Sequence, residues 1–84
     1  MEYNVNSFCV FFMVESPNGV EPLGAFKYTS MPELPIKGQE FRIVKNQKSN
    51  SFKIAEFLGQ AYSLEANNSC MQSFTYLVTL IHEN

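Results

Sequence analysis

The feature that most constrains the fold is an uninterrupted apolar run, Phe8 to Val14, close to the start of the chain. Alternate residues of an extended strand face opposite sides. The run therefore has two apolar faces, one of even-numbered residues and one made of Cys9, Phe11 and Met13. We predict a strand over residues 5–15 that is covered on both sides. An 84-residue chain holds little material for a second layer, so a partner chain is one source of that cover.

Turn-forming residues divide the rest of the chain into short strands. Ser16-Pro17-Asn18-Gly19 predicts a turn, because Pro presets one turn residue and Asn-Gly tolerates positive φ. Pro22 and Gly24 indicate that the following strand is an edge strand or a bulged one. We expect further turns or loops at residues 29–38, 46–51 and 67–69. Strands are predicted over residues 20–28, 40–45, 52–58 and 73–82.

The segment around residues 52–65 fits two structures. Ile54, Phe57, Leu58 and Ala61 fit helical spacing, and Ser51 is a suitable N-cap residue. Gly59 would cost a helix about 1 kcal/mol relative to Ala, whereas in a strand it marks a bend. We favour a strand with a bend at Gly59 and keep a short helix as the alternative.

Taken together, these elements predict an all-β fold of one domain over residues 1–84. Short strands separated by Gly, Pro and Asn turns are typical of a small antiparallel barrel or sandwich of five or six strands. The segment Leu34-Pro35-Ile36-Lys37-Gly38, followed by an alternating strand and a hairpin, resembles the turn-then-strand pattern of SH3-like small barrels. That resemblance makes the SH3-like barrel the favoured form. An α+β fold with a helix around residues 52–65 is the alternative.

The side chains that most enzymes use are scarce. The chain has no Asp, no Trp and one His, His82. Asp and His supply hard oxygen ligands or titrate near neutral pH, so we expect no enzymatic activity. Cys9, Cys70 and His82 are one ligand short of a structural zinc site and show no C-x-x-C pair. We therefore predict no catalytic residues, no metal and no cofactor.

The cysteines and the N-terminus indicate a cytoplasmic setting. Met1 to Asn4 carries no positive charge, and the apolar run that follows lacks a small-residue cleavage site. We expect Cys9 and Cys70 to be reduced. The apolar run is also far too short to span a bilayer, so we expect no membrane partner.

An apolar β surface is the first candidate for function. Phe11 and Met13 on the first strand, and Leu77 and Ile81 on the last, exceed what one inward face requires. If these strands are neighbours, the four side chains form a patch that binds a protein partner or a second copy of the chain. The alternative is a core closed on its second side by the segment of Tyr62 and Leu64.

A basic hairpin is the second candidate. Residues 37–53 carry five cations and only one acidic residue, Glu40, whereas the chain as a whole has a net charge of −2. The cations are Lys37, Arg42, Lys45, Lys48 and Lys53. With Phe41 and Phe52 nearby, they suggest binding of nucleic acid or another polyanion. Strand alternation, however, places both rings on apolar faces, which favours a solvated hairpin with the rings in the core.

Overall fold

Five strands form one sheet in a computed structural model that describes residues 2–83, with side chains through Ile81. The order across the sheet is β2-β1-β5-β4-β3. The strands are β1 (Asn4–Ser16), β2 (Gly19–Tyr28), β3 (Glu40–Lys45), β4 (Lys48–Leu64) and β5 (Ser69–Glu83). A short 3-10 turn, Ala66–Asn68, joins β4 to β5. The described chain has no α-helix, and the predicted all-β class is confirmed.

One strand pair departs from the predicted antiparallel sheet. β1 and β5 run parallel, with Cys9 opposite Ser73 and Met13 opposite Leu77. The other three pairs are antiparallel. The antiparallel pairs are β1 with β2, β3 with β4, and β4 with β5. The loop between β2 and β3 joins the two opposite edges of the sheet. Because of this long connection, β5 can lie beside β1 and run in the same direction. The spacing of apolar residues along each strand does not reveal that pairing.

The first hairpin matches its sequence signals. The Ser16 hydroxyl donates to the Gly19 carbonyl at 3.0 Å and accepts from the Asn18 amide at 3.2 Å. β2 lies at the edge of the sheet, and its register against β1 shifts at Leu23. Both predictions for β2, an edge position and a bulge, are therefore confirmed.

The second hairpin is tighter than predicted. Its turn is only Asn46-Gln47, and both residues have positive φ, at 53° and 66°. Two such residues form the type I′ turn that suits the twist of a hairpin. Lys48 to Ser51 pair with β3 instead of belonging to a loop. The predicted loop over residues 46–51 was wrong because polar residues can pair along a strand as well as fill a turn.

The strand alternative for residues 52–65 is confirmed and the helix is wrong. β4 runs through this segment and pairs with β5 as far as Leu64. Three register shifts interrupt this pairing, one of them between Phe57 and Gly59. Gly59 has φ +147°, a conformation that side chains disfavour. The helical spacing of the apolar residues arises because the bulges reset the alternation of the strand.

The sheet curls into a half-barrel, and its core lies on the concave face. Phe12 of β1 stacks on Phe41 of β3 with ring centroids 4.8 Å apart, although two strands separate β1 from β3 in the sheet. Phe41 in turn stacks on Phe52 at 5.6 Å. Leu34, from the loop between β2 and β3, packs against this core. The buried core residues are Val10, Phe12, Phe52, Ile54, Phe74, Tyr76 and Val78.

The convex face has no second layer within residues 2–83, because all five strands belong to the one sheet. Residues 2–83 therefore supply no second layer over this face of β1, although Cys9 on it is buried, and cover by a partner chain stays a prediction. Closure by Tyr62 and Leu64 was wrong, since both lie in β4 itself and are more than half exposed. Their strand extends the sheet and cannot fold over it.

Size measurements agree with an open, single-layer molecule. The radius of gyration is 14.6 Å, against about 12 Å for a compact domain of this length. The accessible surface is 6116 Å², against about 5,100 Å² for a compact monomer of this mass. The chain thus exposes about 1,000 Å² more than a compact monomer would.

We predict that Gly59→Ala lowers the free energy of unfolding by about 1–3 kcal/mol, because an Ala at φ +147° is strained although the space around it is open. Gly24→Ala is the matched control. It has no positive φ, and an added methyl would make only an ordinary contact with Phe26. The control should be neutral or stabilising by up to about 1 kcal/mol. Denaturant unfolding followed by circular dichroism measures both, and equal effects would contradict the bulge.

Candidate interaction surfaces

The apolar patch predicted from the sequence lies on the convex face of the β1–β5 pair. Met13 is directly opposite Leu77, and Phe11 is opposite Thr75. Residues opposite one another in a sheet share a face, so Phe11, Met13 and Leu77 form one group. Each is partly exposed. We call these three residues the convex patch.

Ile81 lies apart from the convex patch. It is four residues beyond Leu77 along β5, or about 13 Å, and past Val78, the last β5 residue that pairs with β1. It occupies the register shift opposite Ser51 and Phe52 and is 47% exposed. The structure therefore brings together three of the four predicted residues and places the fourth beyond the end of β1.

Charged side chains surround the convex patch. Glu56 is opposite Leu77 in the β4–β5 pair, and Lys53 is opposite Thr79. On the other side, Lys27 is opposite Cys9 in the β1–β2 pair. An apolar group with a charged rim is the usual composition of a surface that binds a partner.

The predicted basic hairpin is divided by the strand alternation. Arg42 and Lys53 have the convex parity of their strands, together with Glu40, which is opposite Lys53, and Arg42 also borders a cleft between β2 and β3. Lys45 and Lys48 face each other across the ends of the two-residue turn. Lys37 lies in the loop before β3, and all five cations are exposed.

The aromatic rings near these cations do not reach solvent as a stacking platform. Phe52 is buried in the core, and Phe41 is stacked between Phe12 and Phe52. Stacking on nucleic-acid bases needs an exposed ring face. The hairpin therefore offers cations without aromatic partners.

A cleft on the concave side was not predicted. It has a volume of about 350 Å³ and lies between β2, β3 and the loop that joins them. Gln39 shapes the loop wall, since its side-chain oxygen accepts from the Ile36 amide at 3.1 Å. The lining residues are Val10, Phe12, Phe26, Tyr28, Glu33, Leu34, Pro35, Gln39, Phe41, Arg42 and Ile43. No sequence pattern predicts this cleft, because its two sides meet only through the curl of the sheet.

The thiols do not assemble a reactive site with each other. Cys9 faces the convex side, whereas Cys70 lies on the opposite parity of the β1–β5 pair, opposite Val5. Both are free and buried. Burial raises the pKa of the Cys9 thiol, and the charge of Lys27 opposes this with a smaller effect. The side chain of His82 lies outside the described residues.

Among the side chains of residues 2–81, no three of His, Cys, Asp or Glu lie close enough to hold a metal ion together. No helix within residues 2–83 has the length and apolar character needed to cross a bilayer.

The outer edge of β4 was likewise not identified from the sequence. β3 pairs only with Lys48 to Lys53, while β4 continues to Leu64. The remaining part of β4 exposes four large apolar side chains, Phe57, Leu58, Tyr62 and Leu64. The sequence shows that this stretch carries a single charge, on Glu56. It does not show that β3 is shorter than β4.

The chain matches no protein-family model, no curated protein and no solved structure. The functional proposals therefore rest on its own residues and geometry.

We predict that Cys9 is unreactive in the folded protein. In a Cys70→Ala variant, iodoacetamide should alkylate Cys9 at pH 8 at least about ten-fold more slowly than in denaturant, because the reagent must wait for local opening and the raised pKa leaves little thiolate. Mass spectrometry of quenched samples measures the rate. Similar rates in the folded and unfolded chains would show that Cys9 is accessible in the folded protein.

Proposed function

We propose that the protein is a non-catalytic interaction module that binds a protein partner, a second copy of itself included, through its apolar convex face. The observation that carries the proposal is the convex patch of Phe11, Met13 and Leu77, which no second layer covers within residues 2–83. Burying apolar surface stabilises association by about 25 cal/mol per Å² before the costs of binding are counted.

The amount of exposed surface supports association. A standard protein interface removes about 800 Å² from each partner. The surface in excess of a compact monomer, about 1,000 Å², is of the same size. One partner of ordinary dimensions would thus bring the chain to the exposure expected of a compact protein.

The chemistry of the chain supports a non-catalytic role in a reducing, cytoplasmic setting. Cys9 and Cys70 are free thiols on opposite faces of the sheet, as expected for a protein kept reduced. A buried thiol with a raised pKa is a poor nucleophile. The absence of Asp from the sequence leaves few groups for acid–base work.

We expect Met13→Glu and Leu77→Glu to abolish the association made through the convex face, since each places a carboxylate in the centre of an apolar contact. Thr79→Glu is the matched control, because Thr79 is exposed on the same face but outside the patch. Light scattering behind size exclusion measures the mass in multiples of the 9.6 kDa chain, and the mass should fall by half in both variants and stay unchanged in the control. A folded Met13→Glu protein with an unchanged mass would show that the convex patch is not the contact.

One observation favours a second function, binding of a polyanion at the tip of the basic hairpin. Lys45 and Lys48 are directly opposite each other, an arrangement of like charges that costs stability. A phosphate held between them would relieve the repulsion. Phe52 is buried, and Phe41 is partly buried and stacked on Phe12 and Phe52, so this proposal is restricted to backbone contacts without base stacking.

For this second function we expect an oligonucleotide to bind at low ionic strength and to be released as salt rises. Replacing both Lys45 and Lys48 with Ala removes two phosphate contacts. For a single-stranded oligonucleotide, this should reduce the steepness of the plot of log binding constant against log salt concentration by about 1.4. Lys27→Ala, which removes an exposed cation from β2, should leave it unchanged. Fluorescence anisotropy measures binding, and its absence at low salt would exclude this function.

A further inference from the structure

The ladder along the outer edge of β4 stops partway. β3 pairs with residues 48–53, and the loop extends the ladder by one step, where Gly38 donates to the Ile54 carbonyl and Ile54 donates to the Gln39 carbonyl, each at 2.8 Å. From Ala55 to Leu64, no strand within residues 2–83 pairs with this edge. A strand edge left open presents unpaired N–H and C=O groups to any chain that can pair with them.

The other two edges of the sheet are protected and this one is not. β2 carries Pro22, which has no N–H to donate. β3 is only six residues long and carries Glu40, Arg42 and Lys45. The open stretch of β4 has Glu56 as its one charge and exposes Phe57, Leu58, Tyr62 and Leu64. Long, apolar, weakly charged edges are the ones that pair with other chains.

We propose that the outer edge of β4, residues 55–64, pairs antiparallel with the same segment of a second copy of this chain and joins the two sheets into one. This inference deepens the proposed function, since it rests on self-association and names a second surface for it. Two-fold pairing of identical edges uses one patch twice, so it needs no other partner.

The sequence of the segment suits pairing with itself. A two-fold axis at Gln60 places each Gln60 opposite its copy and Gly59 opposite Ala61. The bulge between Phe57 and Gly59 inserts one extra residue in each copy. Beyond the bulge, the pairing between the two copies is therefore shifted by one residue. Phe57 falls opposite Tyr62 of the second copy, and the two rings share the concave side.

The charges and the ends of the segment agree with this register. Glu56 falls opposite Ser63 of the second copy, so the two carboxylates do not face each other. The 3-10 turn at Ala66–Asn68 takes the chain away from the edge directly after Leu64. At the other end the loop residues Gly38 and Gln39 already occupy the edge at Ile54, so the pairing is limited to residues 55–64.

The test is a cross-link on the proposed axis. Opposite Cα atoms of antiparallel strands are about 4.5–5.5 Å apart, which a disulfide spans. Gln60→Cys should therefore form a disulfide-linked dimer on mild oxidation, seen on a non-reducing gel. Ala25→Cys, at an exposed position on the protected edge of β2, is the matched control and should stay mostly monomeric. The native thiols are buried, and the unchanged chain measures their contribution.

The outcomes separate this inference from the convex patch. Cross-linking of Gln60→Cys that persists when Met13→Glu is added supports the β4 edge as the contact between copies. If Gln60→Cys cross-links no faster than Ala25→Cys, the edge proposal is wrong, whatever the mass of the unchanged chain. If the unchanged chain is a dimer, Met13→Glu dissociates it and Gln60→Cys does not cross-link, the convex patch is the contact and only the edge proposal fails.

A charge reversal provides a second test that does not depend on oxidation. Gln60→Lys places two like charges opposite each other on the axis and should raise the dissociation constant of the dimer about five-fold. Gln60→Glu should do the same, and mixing the two variants should restore the affinity of the unchanged chain. Equal affinities for the single variants, the mixture and the unchanged chain would overturn the proposed axis.

Discussion

The stack of Phe12 on Phe41 is the interaction on which the rest of the structure depends. The two rings lie 4.8 Å apart but belong to strands separated by two others, so they meet only if the sheet curls. A single sheet with no second layer can bury its apolar face in no other way. The register shifts at Leu23 and along β4 permit this curl, since bulges bend strands and increase their twist. The concave core, the cleft beside it and the exposed convex face all follow from this closure.

The fold is predictable from the sequence where the signal is local. The alternation in β1, the turn at Ser16–Gly19 and the bend at Gly59 were all readable, because each depends on neighbouring residues. The parallel pairing of β1 with β5 was not, because it depends on the path of the whole chain. The strand pairing of Lys48 to Ser51 with β3 could not be predicted for another reason. Polar residues occur both in turns and in exposed strands.

The candidate surfaces follow the same division. Alternation is enough to place Phe11 and Met13 on one face, and it also gives Leu77 its face on β5. Only the structure shows that the two strands are neighbours and that the register shift near Phe52 leaves Ile81 apart. The open edge of β4 comes from a difference in strand length, six residues in β3 against seventeen in β4. No local pattern encodes such a difference, because it depends on where the partner strand ends.

The two proposed surfaces are compatible with each other, because they lie on different parts of the sheet. Antiparallel pairing at β4 continues the sheet across the two-fold axis, so both convex patches face the same side and a larger partner can contact both. After this pairing the remaining edges are β2, which carries Pro22, and β3, which carries Glu40, Arg42 and Lys45. Neither favours further strand addition. Edge pairing therefore closes at two copies, while the convex faces of the pair stay available for a further copy or a different protein.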